Sequence, residues 1–123
     1  MDIAAAVLSV VLALVSLGAG APKALLKGDV PAKLQSEMGL GAGLVRFVGL
    51  AEVAAAGGLA VGLFWPPLGI AAAIGFALVM VGAVAFHARA GDYANPETRG
   101  SAMVSVVLTL FAAATAATLI MSM

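Results

Sequence analysis

Three ionisable side chains that lie inside long apolar stretches are the part of this sequence most able to do chemistry. They are Arg46, Glu52 and His87. If these stretches cross a lipid bilayer, Glu52 lies near its midplane, where an acidic side chain costs on the order of 3 kcal/mol. We therefore expect Glu52 to face other helices, either protonated or hydrogen-bonded to a partner. It would then bind a ligand or a proton, or it would clasp neighbouring helices in register.

Arg46 and His87 lie closer to the ends of their stretches and indicate less on their own. Arg46 and Glu52 are six residues apart, about 240° around a helix, so they do not share a face. Arg46 can extend its guanidinium to the interface, and His87 is either an interfacial residue or a titrating, ligand-binding one. One histidine and one glutamate on different helices are too few for a metal site, so we predict none. We find no Ser-His-Asp set, phosphate loop or close carboxylate pair that would indicate a catalytic centre.

The composition indicates that the apolar stretches lie in a membrane. Of the 123 residues, 63% are hydrophobic and only 10% are charged, whereas soluble domains have about 25% charged residues. These polar side chains are too few to cover the surface of a soluble protein of this size. Six basic residues balance six acidic ones, which gives no sign of a nucleic-acid partner. The absence of cysteine excludes thiol–disulfide chemistry and thiolate metal sites.

Four stretches, at about 3–21, 43–64, 68–89 and 101–121, have the roughly 20 apolar residues that cross a bilayer. They occupy most of residues 1–123, so we predict one all-α domain, an integral membrane four-helix bundle. The first stretch opens with Met1-Asp2 and lacks the positive charge of a signal peptide, so we predict that it is retained. A short interfacial helix is predicted at 31–38, with Asp29 as its candidate N-cap. Small residues in the spans, including Gly58 and Gly62, suit close helix packing.

The distribution of charge predicts the orientation of the bundle. All six basic residues lie in or beside the first and third loops: Lys23, Lys27, Lys33, Arg46, Arg89 and Arg99. The positive-inside rule places these two basic loops in the cytoplasm and both termini outside. We therefore expect a multi-pass protein of the cell membrane, either a plasma membrane or a bacterial inner membrane.

Two motifs resemble a known family. Residues 46–52 read R-x-x-G-x-x-E and residues 82–92 read G-A-x-x-x-H-x-x-x-G-D, with Pro66-Pro67 between them. This pattern resembles the DoxX-like family of small four-helix membrane proteins. It is more distantly similar to the eukaryotic membrane chaperone that assists assembly of nicotinic acetylcholine receptors. If the motif residues carry over, the resemblance implies that Arg46, Glu52, His87 and Asp92 bind a ligand, in a polar pocket that opens to the cytoplasmic side.

The resemblance implies several roles, because family members are described as subunits beside quinone-linked redox enzymes, as partners in oxidative-stress complexes and as assembly chaperones. Our leading hypothesis is an accessory or ligand-binding subunit that binds a lipophilic small molecule (a quinone or a lipid) or a partner membrane protein near Glu52. A quinone is the candidate cofactor, and a second copy of the chain is a further candidate partner. An alternative is a membrane enzyme that acts on a lipid-soluble substrate with Glu52 and His87 as acid–base groups. A small proton or ion conductor ranks last, since the outer halves of the spans offer little polar beyond Ser and Thr.

Overall fold

The computed structural model describes residues 2–36 and 39–123. In these ranges the chain forms five helices: α1 (Ile3–Leu25), α2 (Asp29–Ser36), α3 (Ala42–Gly62), α4 (Pro66–Arg89) and α5 (Arg99–Met121). All except α2 are long and apolar enough to cross a membrane. The predicted all-α, four-helix membrane bundle is confirmed. The short helix predicted at 31–38 corresponds to α2, which begins at Asp29; residues 37 and 38 lie outside the described residues.

Helix α1 is longer than the sequence predicted, and this changes the position of Lys23. The Asp2 carboxylate caps its first turn by accepting a hydrogen bond of 2.8 Å from the Ala5 N–H. The helix then runs past Pro22 to Leu25, whereas we expected it to stop at about residue 21. A proline removes one backbone hydrogen bond but does not end a helix that other contacts hold. Lys23 therefore belongs to the last turn of α1 and not to the first loop.

Helix α4 begins at Pro66, two residues before the predicted start of the third span. Proline is well tolerated at the first helical positions, because the N–H that it lacks would have no partner there. The Pro66-Pro67 pair therefore opens α4, whereas α3 has already ended at Gly62. Trp65 precedes it with an exposed side chain, which suits the membrane–water interface.

The four long helices form a ring in which α1 packs on α3, α3 on α4, and α4 on α5, and a smaller contact between α5 and α1 closes it. The core contains Leu12 from α1, Leu59 from α3 and Phe76 from α4, each fully buried. Helix α2 contacts both α1 and α3 at the end of the bundle that carries the first loop.

Glycines bring the helix backbones into contact at two levels of the bundle. A Cβ on Gly20 of α1 would lie 2.7 Å from the Gly49 carbonyl oxygen and 2.7 Å from the Glu52 Cβ of α3. A Cβ on Gly58 would lie 2.8 Å from the Ala72 Cβ of α4, and one on Gly62 would collide with the α4 backbone. Lipid tails are as apolar as leucine and give no hydrophobic drive between helices, so this close packing is what holds the spans together.

Candidate functional site

Glu52 lies at the contact between α3 and α1, where its side chain is fully buried. The Lys23 ammonium donates a hydrogen bond of 2.8 Å to Glu52 Oε1, and the Lys23 side chain is only 13% exposed. The acid therefore faces other helices, as the cost of a carboxyl group in lipid requires. Its charge is compensated by a cation from a different span, so the two residues form a buried ion pair.

The ion pair depends on the glycines beside it. Gly20 lies one turn before Lys23 on α1, and Gly49 lies one turn before Glu52 on α3. A Cβ on Gly49 would collide with the Ala24 backbone and lie 2.7 Å from the Lys23 Cβ. The absence of side chains at these two glycines lets the backbones approach closely enough for Lys23 to reach Glu52.

Lys23 is the partner of Glu52 that the sequence did not reveal. The first span was predicted to end at about residue 21, which left Lys23 in or beside the first loop. The signal that could have identified it is the cost of Glu52 itself, since a buried carboxylate needs a cation or a set of donors. The second carboxylate oxygen, Oε2, is buried and accepts no hydrogen bond from the described residues. Of the two carboxylate oxygens, only Oε1 therefore accepts a hydrogen bond from the described residues.

His87 and Asp92 form a second pair, at the end of α4. The distance between His87 Nδ1 and Asp92 Oδ2 is 2.6 Å, and both side chains are partly buried. Gly91 lies between them with φ = +74°, a left-handed conformation that favours glycine. This turn reverses the chain and brings Asp92 back over the last turn of α4.

The loop after α4 holds this pair in place. The Tyr93 ring lies edge-on to the His87 ring with the centroids 6.4 Å apart, and the Tyr93 hydroxyl donates to the Ala102 carbonyl of α5 at 3.2 Å. The Thr98 hydroxyl donates to the Asp92 carbonyl at 3.1 Å. Side chains of the loop thus tie the end of α4 to the start of α5.

The four residues singled out in the sequence do not form one hydrogen-bonded cluster. Arg46 is exposed on α3, on a different face from Glu52. Glu52 pairs with Lys23, and His87 pairs with Asp92. In residues 2–36 and 39–123, no hydrogen bond or ion pair joins one pair to the other. In the same ranges, no three His, Asp or Glu side chains group closely enough to hold a metal ion.

An apolar groove of about 310 Å³ lies between α3 and α4. Its lining is hydrophobic, mostly alanine and glycine: Ala51, Ala54, Ala55, Gly58, Leu68, Ala71, Ala72, Gly75 and Val79. Glu52 and His87 are not among the lining residues. At 100° per residue, the α3 residues that line the groove lie between about 60° (Ala55) and 160° (Ala54) around the helix from Glu52, whose carboxyl group faces α1. The groove can take hydrocarbon, and it offers no charged group.

Comparison with known proteins gives a family and no individual relative. The DoxX-like family matches residues 7–115, a segment that runs from α1 into α5. The match includes the Lys23–Glu52 pair, the His87–Asp92 pair and all residues that line the groove. No match was found among curated proteins or among solved structures.

Proposed function

Because the chain belongs to the DoxX-like family and is a multi-pass membrane protein, we propose that it is an accessory, ligand-binding protein of the bilayer. The ligand is a lipophilic small molecule, a quinone or a lipid, whose hydrocarbon part lies in the groove between α3 and α4. The observation that carries this proposal is the groove itself, an apolar trough between two helices that can span the membrane.

The size and lining of the groove fit a hydrocarbon chain. The groove has a volume of about 310 Å³ and is open along one side, so it can take a segment of a hydrocarbon chain. A chain that moves from lipid into the groove gains no hydrophobic free energy, because both surroundings are apolar. Selectivity must therefore come from van der Waals contact with the small-residue walls. This favours a chain of fixed shape over a freely flexing one.

The positions of the charged pairs favour this role over that of an acid–base enzyme. Such an enzyme needs Glu52 and His87 to reach one substrate. Each is instead hydrogen-bonded to a different partner, Lys23 or Asp92, and the groove is lined by neither. We therefore assign the Lys23–Glu52 pair to holding α1 against α3, and the groove to binding.

The experiment fills the groove with a side chain. Gly75 is exposed in the groove, and a Cβ added there meets no atom within 4 Å, so Gly75→Leu occupies the groove without a backbone collision. Gly57→Leu is the matched control, because Gly57 is equally open but lies outside the groove. Native mass spectrometry of each protein, released from nanodiscs of bacterial lipid supplemented with a long-chain quinone, reports the bound molecules.

We expect the parent protein and Gly57→Leu to retain a bound quinone or lipid, and Gly75→Leu to lose it. Equal retention by all three proteins would refute the assignment of the groove. Loss of a co-purifying membrane protein, with the bound lipid unchanged, would assign the groove to a partner helix instead.

A further inference from the structure

The His87–Asp92 pair occupies the two end positions of a helix C-cap. The Asp92 N–H donates to the His87 carbonyl at 3.0 Å and the Gly91 N–H donates to the Ala88 carbonyl at 3.1 Å. With the left-handed Gly91, these two bonds define a Schellman motif, in which a contact between the residues at the His87 and Asp92 positions usually closes the turn. That contact is commonly apolar. Here it is an imidazole and a carboxylate, which the cap alone does not require.

The pairing fixes which imidazole nitrogen carries a proton. A carboxylate only accepts hydrogen bonds, so Nδ1 at 2.6 Å from Asp92 Oδ2 must be the protonated nitrogen. The short distance is that of a charge-assisted bond. In the neutral ring, Nε2 is then an acceptor. It forms no hydrogen bond to another residue in the part of the chain that the structure describes.

The imidazole is also held in position by its surroundings. Tyr93 packs edge-on against it, and Tyr93 is anchored through its hydroxyl to α5. The cationic neighbours are engaged elsewhere: Arg89 lies over the Phe86 ring at 6.0 Å and Arg99 Nε donates to the Tyr93 carbonyl at 3.1 Å. The side chain of His87 is 17% exposed, so the ring is oriented and still accessible.

We propose that His87 Nε2 is a hydrogen-bond acceptor for the hydroxyl group of an amphiphile whose headgroup lies at the membrane interface. His87 is two residues from the end of α4, roughly 3 Å along the helix axis, which places it at the level of headgroups and not of acyl chains. Asp92 is a positioning residue, because it sets the tautomer and the orientation of the ring and does not touch the ligand. This carboxylate–imidazole arrangement is the one that orients histidine ligands and bases in other sites.

The site is independent of the groove. Gly75, at the centre of the groove on α4, lies about 120° around that helix from His87 and three turns away. The groove experiment tests Gly75, and the experiment below tests His87. A negative result in one of them would therefore not contradict the other assignment.

The test uses the single histidine of the chain. In protein labelled with ¹⁵N-histidine and reconstituted in nanodiscs, the one imidazole gives two nitrogen resonances. 4-Nonylphenol is the probe, and its methyl ether, 4-nonylanisole, is the matched control that lacks the hydroxyl donor. We expect a saturable shift of the Nε2 resonance with the phenol and none with the ether. Equal shifts with both, or no shift with either, would overturn the proposal.

Two variants separate the acceptor role from the cap. In Asp92→Asn the carboxylate becomes a neutral amide that can either donate to Nδ1 or accept from it, so the tautomer is no longer fixed and we expect a weaker phenol response. A response as large as that of the parent would contradict the role of Asp92. The paired variant His87→Leu with Asp92→Leu replaces the polar contact with the apolar one that is common in such caps. We expect it to keep the thermal stability of the parent and to bind less phenol in equilibrium dialysis. Undiminished binding would refute the site. The phenol–ether comparison uses the unaltered protein and decides the question even if a variant fails to fold.

Discussion

The Lys23–Glu52 ion pair makes a quantitative prediction, because removing one partner should cost far more stability than removing both. Glu52 is fully buried, and its hydrogen bond to Lys23 is 2.8 Å long. Replacing one member of a buried pair leaves the other as an uncompensated buried charge, which costs about 3–5 kcal/mol. Replacing both with apolar side chains of similar size is often close to neutral, because the desolvation of two charges is removed together with their attraction.

We therefore expect Lys23→Met and Glu52→Leu each to lower the free energy of unfolding by about 3 kcal/mol or more. The double variant should lie within about 1 kcal/mol of the parent, which gives a coupling free energy of roughly 5 kcal/mol or more. Neutral polar pairs between membrane helices couple by only about 0.6 kcal/mol on average. A value of that size would show that the pair behaves as an ordinary interhelical hydrogen bond.

The assay is reversible unfolding of the bundle from mild detergent into dodecyl sulfate, followed by circular dichroism. Lys27→Met is the matched control for the lysine change, because Lys27 follows α1 with an exposed side chain and should have almost no effect. Single variants that cost less than 1 kcal/mol would refute our assignment of the pair as a buried clasp. A double variant that loses as much free energy of unfolding as the two single variants together would also refute it.

Four backbone positions give further predictions, each measured by the same unfolding assay. Gly49→Ala should destabilise the bundle by about 2–3 kcal/mol because its Cβ would collide with the Ala24 backbone, whereas Gly57→Ala, in open space, should stabilise α3 by about 0.5 kcal/mol. Leu26 adopts φ = +53° at the end of α1, so Leu26→Gly should raise stability by roughly 0.5 kcal/mol as the left-handed strain is relieved. Gly91→Ala should lower it by roughly 1 kcal/mol and should weaken the His87–Asp92 contact, visible as a changed imidazole ¹⁵N spectrum. An unchanged stability in Gly49→Ala would contradict the close approach of α1 and α3.

The sequence was sufficient to predict the bundle, because composition and the length of the apolar stretches depend on local properties alone. The inward orientation of Glu52 followed from the cost of a carboxyl group in lipid. The small residues of α3 indicated close packing, and in the structure Gly58 and Gly62 both contact α4.

The partners of the polar residues could not be predicted in the same way, since they depend on how far each helix continues and on which helices are neighbours. Lys23 was placed in or beside the first loop because the uncharged stretch ends at about residue 21, while in the structure α1 continues past Pro22 to Leu25. The sequence motif that contains His87 and Asp92 predicts a ligand site. In the structure, the segment from His87 to Asp92 with its left-handed Gly91 also forms a helix C-cap, which spacing alone does not reveal.

The groove was not visible in the sequence at all. Its walls are alanines and glycines that also serve general helix packing, and only the relative placement of α3 and α4 leaves a trough between them.

The most direct test of the account is to map where a lipophilic molecule contacts the protein in a membrane. The parent protein, reconstituted with an isoprenoid quinone analogue that carries a diazirine on its tail, is photolysed, and the adducts are assigned to residues by tandem mass spectrometry. We expect adducts concentrated on the groove-lining segments 51–58 of α3 and 68–79 of α4. Adducts spread evenly over the lipid-facing surfaces of all four spans would contradict it.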